Sequence, residues 1–533
     1  MSVLSIEELS VAIGGPILRD VSLEIAPGEI LALTGESGSG KSMTALAVMG
    51  LLPRVAGVTG RISVDGAEVT GRSEKALCAL RGATMGMVFQ EPMTALNPVQ
   101  PIGRQVAETA RLHRPLGRGE AETLARAALD RVGLSEIPLS RFPHELSGGQ
   151  RQRVVIAMAT VLRPKLLIAD EPTTALDVTT QARILELLRR LAREEGMGLL
   201  LITHDLAVVH GLADRIAVMN RGEIVETGPT GEVFAAQRHA YTRALFAASR
   251  HRAALAPRPP GPPLLEVSKL SQSYALPRKR LFAPRPRFRA LSEVGFGIRA
   301  GERVGLVGES GSGKSTLTRA LLGLEAPEAG GVTLGGVPVS ARATPPETRA
   351  QMQVVFQDPY GSFNPRHRVG RLVAEPFHLM PGAPKGPERE AAVAEALEAV
   401  GLSGRDAARH IHEFSGGQRQ RIAIARALIT RPRFIVFDEA VSALDVRVRA
   451  RILDLIARLS EDYGLAYLFI SHDLSVVRGI TTRVLVLRRG EIVEEGPTEE
   501  VLARPRHAYT QELIAAAPVL PADLAAGEEI HAT

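Results

Sequence analysis

Gly35-Glu36-Ser37-Gly38-Ser39-Gly40-Lys41-Ser42 and Gly308-Glu309-Ser310-Gly311-Ser312-Gly313-Lys314-Ser315 both read GxxxxGK[ST]. Glycines in this pattern let successive backbone N–H groups turn inward, and the positive end of the following helix joins them around nucleotide phosphates. Lys41 and Lys314 are placed to reach the β/γ-phosphates, with the hydroxyls of Ser42 and Ser315 on Mg²⁺ and Met43 and Thr316 next in the cradle. The motif needs a strand before it and a helix after it. Ile30–Thr34 runs into the first loop and Ser42–Leu52 reads as the helix that leaves it; Val304–Val307 and Ser315–Leu322 repeat the order. One match could be a chance glycine-rich turn. Two in the same context are not.

Each loop heads a longer series. Leu166–Ala169 leads to Asp170-Glu171, and Phe434–Phe437 to Asp438-Glu439, so two carboxylates close each buried apolar strand. The aspartate suits support of Mg²⁺, and the glutamate suits orienting or deprotonating an attacking water. Gly198–Thr203 and Ala466–Ile470 read as further buried strands, followed by Thr203-His204-Asp205 and Ser471-His472-Asp473, whose histidines can bond a γ-phosphate. The spacing from first to second copy is 273 residues at Lys41 and Lys314, 267 at Gln90 and Gln357, and 268 at Asp170 and Asp438 and at His204 and His472. That period is a duplicated α/β domain, far longer than a solenoid repeat.

The 533 residues suffice for two substantial cores. Ala256-Pro257-Arg258-Pro259-Pro260-Gly261-Pro262-Pro263 is too proline-rich for helix or central strand and reads as a semi-rigid linker. The expected layout is a first domain over 1–250, a linker over 251–264, a second domain over 265–518 and a tail over 519–533. The second half carries 12 extra residues between Tyr274 and Lys314, the basic run Pro277–Arg289 among them, which reads as a solvated loop between two strands. A single cysteine, Cys78, excludes an internal disulfide, a cysteine zinc site and a cysteine-ligated iron–sulfur cluster. No apolar run approaches the roughly 20 residues of a membrane span, and Met1–Ile13 does not read as a signal peptide, so a soluble, intracellular chain is expected. A net charge of +6 over this length discriminates little among partners.

Leu146-Ser147-Gly148-Gly149-Gln150 and Phe414-Ser415-Gly416-Gly417-Gln418 complete the series and resemble the signature of ATP-binding cassette proteins. The order along nearly the whole chain is similar to that family's Walker A, Q-loop, signature, Walker B, D-loop and switch histidine. The resemblance implies two tandem P-loop NTPase cassettes, each with a mostly parallel core sheet, an antiparallel β subdomain and a helical signature subdomain. It implies Gln90 and Gln357 as Q-loop residues at Mg²⁺ and the water, and Ala175-Leu176-Asp177 and Ala443-Leu444-Asp445 as D-loops. It also implies a head-to-tail pairing in which each ATP lies between the loop of one cassette and the signature of the other, where a helix N-terminus faces the γ-phosphate. Tyr274 falls where the family stacks an aromatic ring on adenine. The first half has Ile13 there, which predicts weaker nucleotide affinity. Phe414 replaces the usual signature leucine and Ala440 the usual proline; neither removes a catalytic group, so both sites are expected to hydrolyse ATP.

The surroundings of the sites resemble one branch. Glu91-Pro92-Met93-Thr94-Ala95-Leu96-Asn97-Pro98 and Asp358-Pro359-Tyr360-Gly361-Ser362-Phe363-Asn364-Pro365 are similar to the segments after the Q-loop in dipeptide, oligopeptide and nickel importers. Arg238-His239-Ala240-Tyr241-Thr242 and Arg506-His507-Ala508-Tyr509-Thr510 resemble that branch's His-Pro-Tyr-Thr motif, with alanine for proline. Fused pairs resemble the microcin C and oligopeptide type of importer. The resemblance implies two integral-membrane permeases, an extracytoplasmic solute-binding protein, no nucleic acid, and a peripheral place on the cytoplasmic face of the inner membrane. A soluble tandem-cassette factor acting on ribosomes is the alternative from another class, but such proteins join their cassettes by a long charged helical linker. Tandem DNA-repair cassettes carry cysteine zinc modules, which one cysteine cannot build, and tandem sugar importers often have one eroded site.

Overall fold

The computed structural model describes residues 2–89, 95–174, 176–257, 259, 261–276, 285–358, 361–442 and 444–521. Gln90, Glu91–Thr94, Ala175, Pro359, Tyr360 and Ala443 lie outside the described residues. By contacts the chain divides into one unit of Met1–Leu176, Thr180–Arg250 and Pro518–Thr533 and another of Asp177–Thr179 and His251–Ala517.

In the first unit the strands are β1 (Leu4–Ala12), β2 (Pro16–Ile25), β3 (Ile30–Thr34), β4 (Gly57–Val64), β5 (Ala67–Glu68), β6 (Met85–Val88), β7 (Leu166–Asp170), β8 (Gly198–Ile202), β9 (Arg215–Asn220) and β10 (Glu223–Pro229). They form a four-stranded antiparallel sheet, β2-β1-β4-β5, and a six-stranded sheet, β10-β9-β3-β8-β7-β6. All neighbours in the larger sheet pair in parallel except β9 and β10. Every residue of β3, β7 and β8 is buried, which is why these strands read as continuous apolar runs without alternation. Helices Ile102–His113, Arg118–Arg131 and Gly148–Thr160 form a helical layer whose buried side chains, including Val106, Leu129 and Ile156, share one core with one face of the large sheet.

The second unit repeats this plan with β11 (Pro263–Ala275), β12 (Arg287–Arg299), β13 (Arg303–Val307), β14 (Ala329–Leu334), β15 (Val337–Val339), β16 (Met352–Val355), β17 (Phe434–Asp438), β18 (Ala466–Ile470), β19 (Arg483–Arg488) and β20 (Glu491–Pro497). Its sheets are ordered β12-β11-β14-β15 and β16-β17-β18-β13-β19-β20, the same topology as the first. The extra residues of this half lengthen the β11–β12 hairpin to 13 residues per strand, against 9 and 10 in β1 and β2. The basic run is therefore not all loop: Arg287–Arg289 belong to β12, paired with Ser273–Ala275, and 277–284 lie outside the described residues. β11 opens at Pro263, inside the segment read as linker, because Leu264 and Leu265 are buried in the sheet core.

Local rules explain the element ends. The helices after the two phosphate loops span Lys41–Val48 and Lys314–Leu321; the first is shorter than the Ser42–Leu52 pattern suggested, and the second agrees with Ser315–Leu322 to within one residue. Gly50 (φ 63°) and Gly323 (φ 62°) turn the chain into the left-handed region, so the helices stop although apolar residues continue.

Candidate nucleotide site

The phosphate loops are bent by sterics as much as by glycine's freedom. Gly40 and Gly313, with φ of 110° and 112°, cap the helices that begin at Lys41 and Lys314. A Cβ on Gly35 would lie 2.1 Å from the Met219 carbonyl oxygen, and one on Gly308 2.2 Å from that of Leu487, so the loop presses on the neighbouring strand. Glu36, Ser37, Gly38 and Ser39, and Glu309, Ser310, Gly311 and Ser312, form the rest of the two loops. Lys41 Nζ donates to the carbonyls of Gly35 and Glu36, each at 2.8 Å, and Lys314 Nζ to those of Gly308 at 2.7 Å and Glu309 at 2.8 Å. Both lysines are buried. Burial lowers the Lys314 pKa, opposed by the carboxylates around it, Glu439 foremost.

The carboxylate pairs close β7 and β17. Asp170 is buried, its Oδ1 has no hydrogen-bond partner among the described residues, and the Ser42 hydroxyl lies beside its carboxyl. Burial pushes Asp170 up, and the charge of Glu171 adds to it. In the second unit burial and Glu439 push Asp438 up to about 6. The partnerless oxygen of buried Asp170, and the raised carboxyl of Asp438, each next to a second carboxylate, fit a divalent cation. Of the residues expected at the cation, Ser42 and Asp170, and Ser315, Gln357 and Asp438, are described. Gln357 is exposed just past the end of β16, and its counterpart Gln90 is outside the described residues.

Glu171 and Glu439 sit at φ 47° and 49°, a left-handed conformation that costs a non-glycine residue roughly 1 kcal/mol and persists where the surroundings enforce it. Each faces the histidine that follows the neighbouring strand. His204 Nδ1 is 3.0 Å from Glu171 Oε1, and His472 Nδ1 is 3.5 Å from Glu439 Oε2. Although burial opposes it, the bond to His204, that imidazole's charge and the Thr174 hydroxyl hold Glu171 down at about 2. Glu439 is also lowered, against burial, by His472. The two units differ in detail: Thr174 donates to the Glu171 side chain at 3.0 Å, whereas Ser442 donates to the backbone carbonyl of Glu439 at 2.9 Å.

The signatures head helices Gly148–Thr160 and Gly416–Leu428 through capping boxes. Ser147 N donates to Gln150 Oε1 at 2.9 Å and Gln150 N to Ser147 Oγ at 3.3 Å, while Ser415 N and Oγ donate to Gln418 Oε1 at 3.0 and 3.2 Å. Ser147 and Gly148, and Ser415 and Gly416, are exposed. Phe414 is buried as Leu146 is, and Arg409 stacks 4.2 Å over its ring, which accounts for the aromatic residue there. Asp445 caps the following helix by accepting from Val448 N at 3.0 Å, and Asp177 accepts from Thr179 Oγ1 at 2.9 Å.

Tyr274 lies at the far end of β11, its hydroxyl donating to Glu325 at 2.7 Å and lying 3.5 Å from Thr316 Oγ1 in the helix of the phosphate loop. Ile13 instead sits in the tight β1–β2 turn, its N–H donating to the Gly15 carbonyl at 2.9 Å. Two residues that sequence reasoning did not place at the site also reach it: Tyr241 and Tyr509 bond the backbone of the phosphate loops. The available signal was the repeated Arg-His-Ala-Tyr-Thr stretch, read only as a mark of kinship.

Residues 18–174 and 291–442 match the model of the ABC transporter family, and residues 225–264 and 493–532 match the oligopeptide/dipeptide transporter C-terminal region. The chain is 46% identical to the peptidoglycan transport ATP-binding protein YejF of Agrobacterium fabrum, over 96% of each chain. It is 46% identical to the glutathione import ATP-binding protein GsiA of Escherichia coli O157:H7, over 97% of this chain and 90% of that one. Among solved structures, the ATP-binding cassette MJ0796 bound to ADP and Pi is 29% identical, with a TM-score of 0.40 over 44% of this chain and 99% of that one.

This chain belongs to the ABC transporter family. It carries two fused cassettes, binds and hydrolyses ATP, and is the ATPase subunit of an ABC importer; the ribosome-associated alternative is not supported. Among the described residues no helix is long and apolar enough to cross a membrane.

Proposed function

We propose that this protein energises uptake of peptides or related small solutes through two permease subunits served by an extracytoplasmic solute-binding protein, from the cytoplasmic face of the inner membrane. The observation that carries this reading is the pairing of two undamaged sets of site residues with two copies of the oligopeptide/dipeptide C-terminal region. The two similar proteins are named for peptidoglycan and for glutathione, cargo that contains short peptides. The working layout is a cassette over 1–250, a linker over 251–264, a cassette over 265–518 and a tail over 519–533.

In the arrangement that the family resemblance implies, two ATP molecules would each be held by residues 35–43 or 308–316 of one cassette and by Ser147-Gly148-Gly149-Gln150 or Ser415-Gly416-Gly417-Gln418 of the other. Asp177 and Asp445 lie alongside, and Tyr274 stacks on one adenine. Ser42, Gln90 and Asp170, and Ser315, Gln357 and Asp438, would hold Mg²⁺, which supplies charge neutralisation at the β- and γ-phosphates when bound. Glu171 and Glu439 orient the attacking water, and His204 and His472 bond the γ-phosphate. A carboxylate held near 2 is a weak base, so Glu171 accepts a hydrogen bond from water well and takes its proton poorly while His204 grips it. Moving His204 from the glutamate to the γ-phosphate returns that basicity at the moment of closure. The segments after Gln90 and Gln357 meet the permeases and convert closure into a change of access.

Transport of a labelled peptide into cells carrying E171Q with E439Q tests the scheme. Uptake should stop while the purified variant still binds ATP. Continued uptake would refute it.

A further inference from the structure

The repeated Arg-His-Ala-Tyr-Thr stretch has a structural role that the nucleotide chemistry above does not use. In the first unit the Glu36 N–H donates to the Tyr241 hydroxyl oxygen at 3.0 Å across 205 residues, and in the second the Glu309 N–H donates to that of Tyr509 at 2.9 Å across 200. The peptide that carries the Glu36 N–H also carries the Gly35 carbonyl, the acceptor of Lys41 Nζ at 2.8 Å. Gly308 and Lys314 repeat this at 2.7 Å. A peptide unit is planar and rigid, so fixing the N–H on one edge fixes the direction of the C=O on the other, and hydrogen bonds in series polarise one another.

The tyrosines are themselves held. Glu226 accepts from the N–H groups of Arg238 at 2.8 Å and His239 at 3.0 Å, and His239 Nδ1 accepts from Tyr241 N at 3.1 Å. Glu494 does the same for Arg506 at 2.8 Å and His507 at 3.1 Å, and His507 Nδ1 for Tyr509 N at 3.1 Å. Both rings are buried, and Arg488 stacks 4.7 Å over that of Tyr509. Two copies in diverged surroundings keep every one of these bonds. Ring packing alone would not require the hydroxyl to end on a phosphate-loop amide each time.

We infer that Tyr241 and Tyr509 are positioning residues that brace the phosphate loops, setting through one peptide unit where Lys41 and Lys314 rest and thereby the affinity for ATP. The brace lies in the oligopeptide/dipeptide C-terminal region, so that region sits one hydrogen bond from the phosphate loop of its own cassette.

Replacing tyrosine by phenylalanine keeps the ring and takes from a part-buried loop N–H the hydroxyl that accepts from it. The test uses the purified full chain with one phosphate loop disabled: Y509F in a K41A background and Y241F in a K314A background. A fluorescent ATP analogue reports affinity, steady-state hydrolysis separates KM from kcat, and thermal melting reports stability. Leu513→Val, in the same helix as Tyr509, serves as a packing lesion. The expected result is a roughly three- to tenfold loss of nucleotide affinity and a matching rise in KM in each phenylalanine variant, with kcat and melting nearly unchanged, and unchanged KM in L513V. Unaltered affinity in the phenylalanine variants overturns the inference, as does an affinity loss that L513V reproduces.

Discussion

Asp438 and Glu439 are adjacent carboxyl groups at a buried strand end, and their environments push them apart. Glu439 is drawn down by its histidine, while Asp438, raised from 3.8 to about 6, carries the cost of burial. Below about pH 4 Asp438 is protonated in both folded and unfolded chains. Between about 4 and 6 the folded chain holds a proton that the unfolded chain has released, so metal-free stability falls as pH rises through that window and stays lowered above it. D438N should therefore melt at least about 2 °C higher than the parent in metal-free buffer at pH 7.5, lose that advantage below pH 4, and hydrolyse no ATP. A variant melting at or below the parent at pH 7.5 would exclude the account in which burial of the charged carboxylate beside Glu439 costs stability. The residue types at the site were legible because each motif confines them to a few neighbouring positions. What escaped was their asymmetry: Thr174 steadies the Glu171 side chain while Ser442 spends its hydroxyl on a backbone carbonyl. Ile13 against Tyr274 was legible, and aromatic stacking is worth about 0.5–1.5 kcal/mol. K41A, which keeps the Tyr274 site, should bind a nucleotide analogue roughly two- to tenfold more tightly than K314A; equal titration curves would remove that asymmetry.

At the scale of elements, the signature helices show which glycines serve packing. A Cβ on Gly417 would lie 2.4 Å from Val448 Cγ1, and one on Gly149 2.2 Å from Thr180 Cγ2, methyl groups on stiff β-branched side chains of the next helix. Around Gly416 no heavy atom lies within 4 Å of such a Cβ. G417A should cost about 1–3 kcal/mol by overpacking, seen as a lower melting temperature. G416A should melt as the parent does yet hydrolyse ATP more slowly, because in the proposed arrangement its open side would face the nucleotide; a stability loss in G416A matching that of G417A would contradict this division. The core strands β3, β7, β8, β13, β17 and β18 were read to within one residue, since burial on both faces leaves an unbroken apolar run. Helix ends were read less evenly: the Ser315–Leu322 reading falls within one residue of the observed helix, whereas the Ser42–Leu52 reading ran on past Gly50, where backbone conformation stopped the helix.

For the chain as a whole, the linker is less free than its prolines suggest. Within the second unit Ala253 is buried in the core, His251 Nε2 lies 2.6 Å from Asp454, and the buried Arg303 donates to the Ala256 carbonyl at 3.4 Å and to Glu461 at 3.3 Å. Arg303 opens β13 where Ile30 opens β3, and Tyr467 replaces Leu199 beside it in register. R303I, which restores the first unit's residue, should release the linker and speed tryptic cleavage after Arg252 severalfold while leaving ATP binding intact. Unchanged cleavage kinetics would show that Arg303 does not hold the linker.

The sequence by itself determined two phosphate loops, their paired carboxylates and histidines, the signatures, the order that joins them and the α/β strand runs, because each depends on residues within one turn, strand end or helix start. Only the tertiary structure decided which partners meet across the chain: Glu171 with His204, Tyr241 with Glu36, Arg303 with the linker. Those contacts join residues from 33 to more than 200 positions apart or depend on one packed interior. Local pattern carries no record of them, since the packing of whole layers, rather than any spacing along the chain, brings their atoms within hydrogen-bond reach.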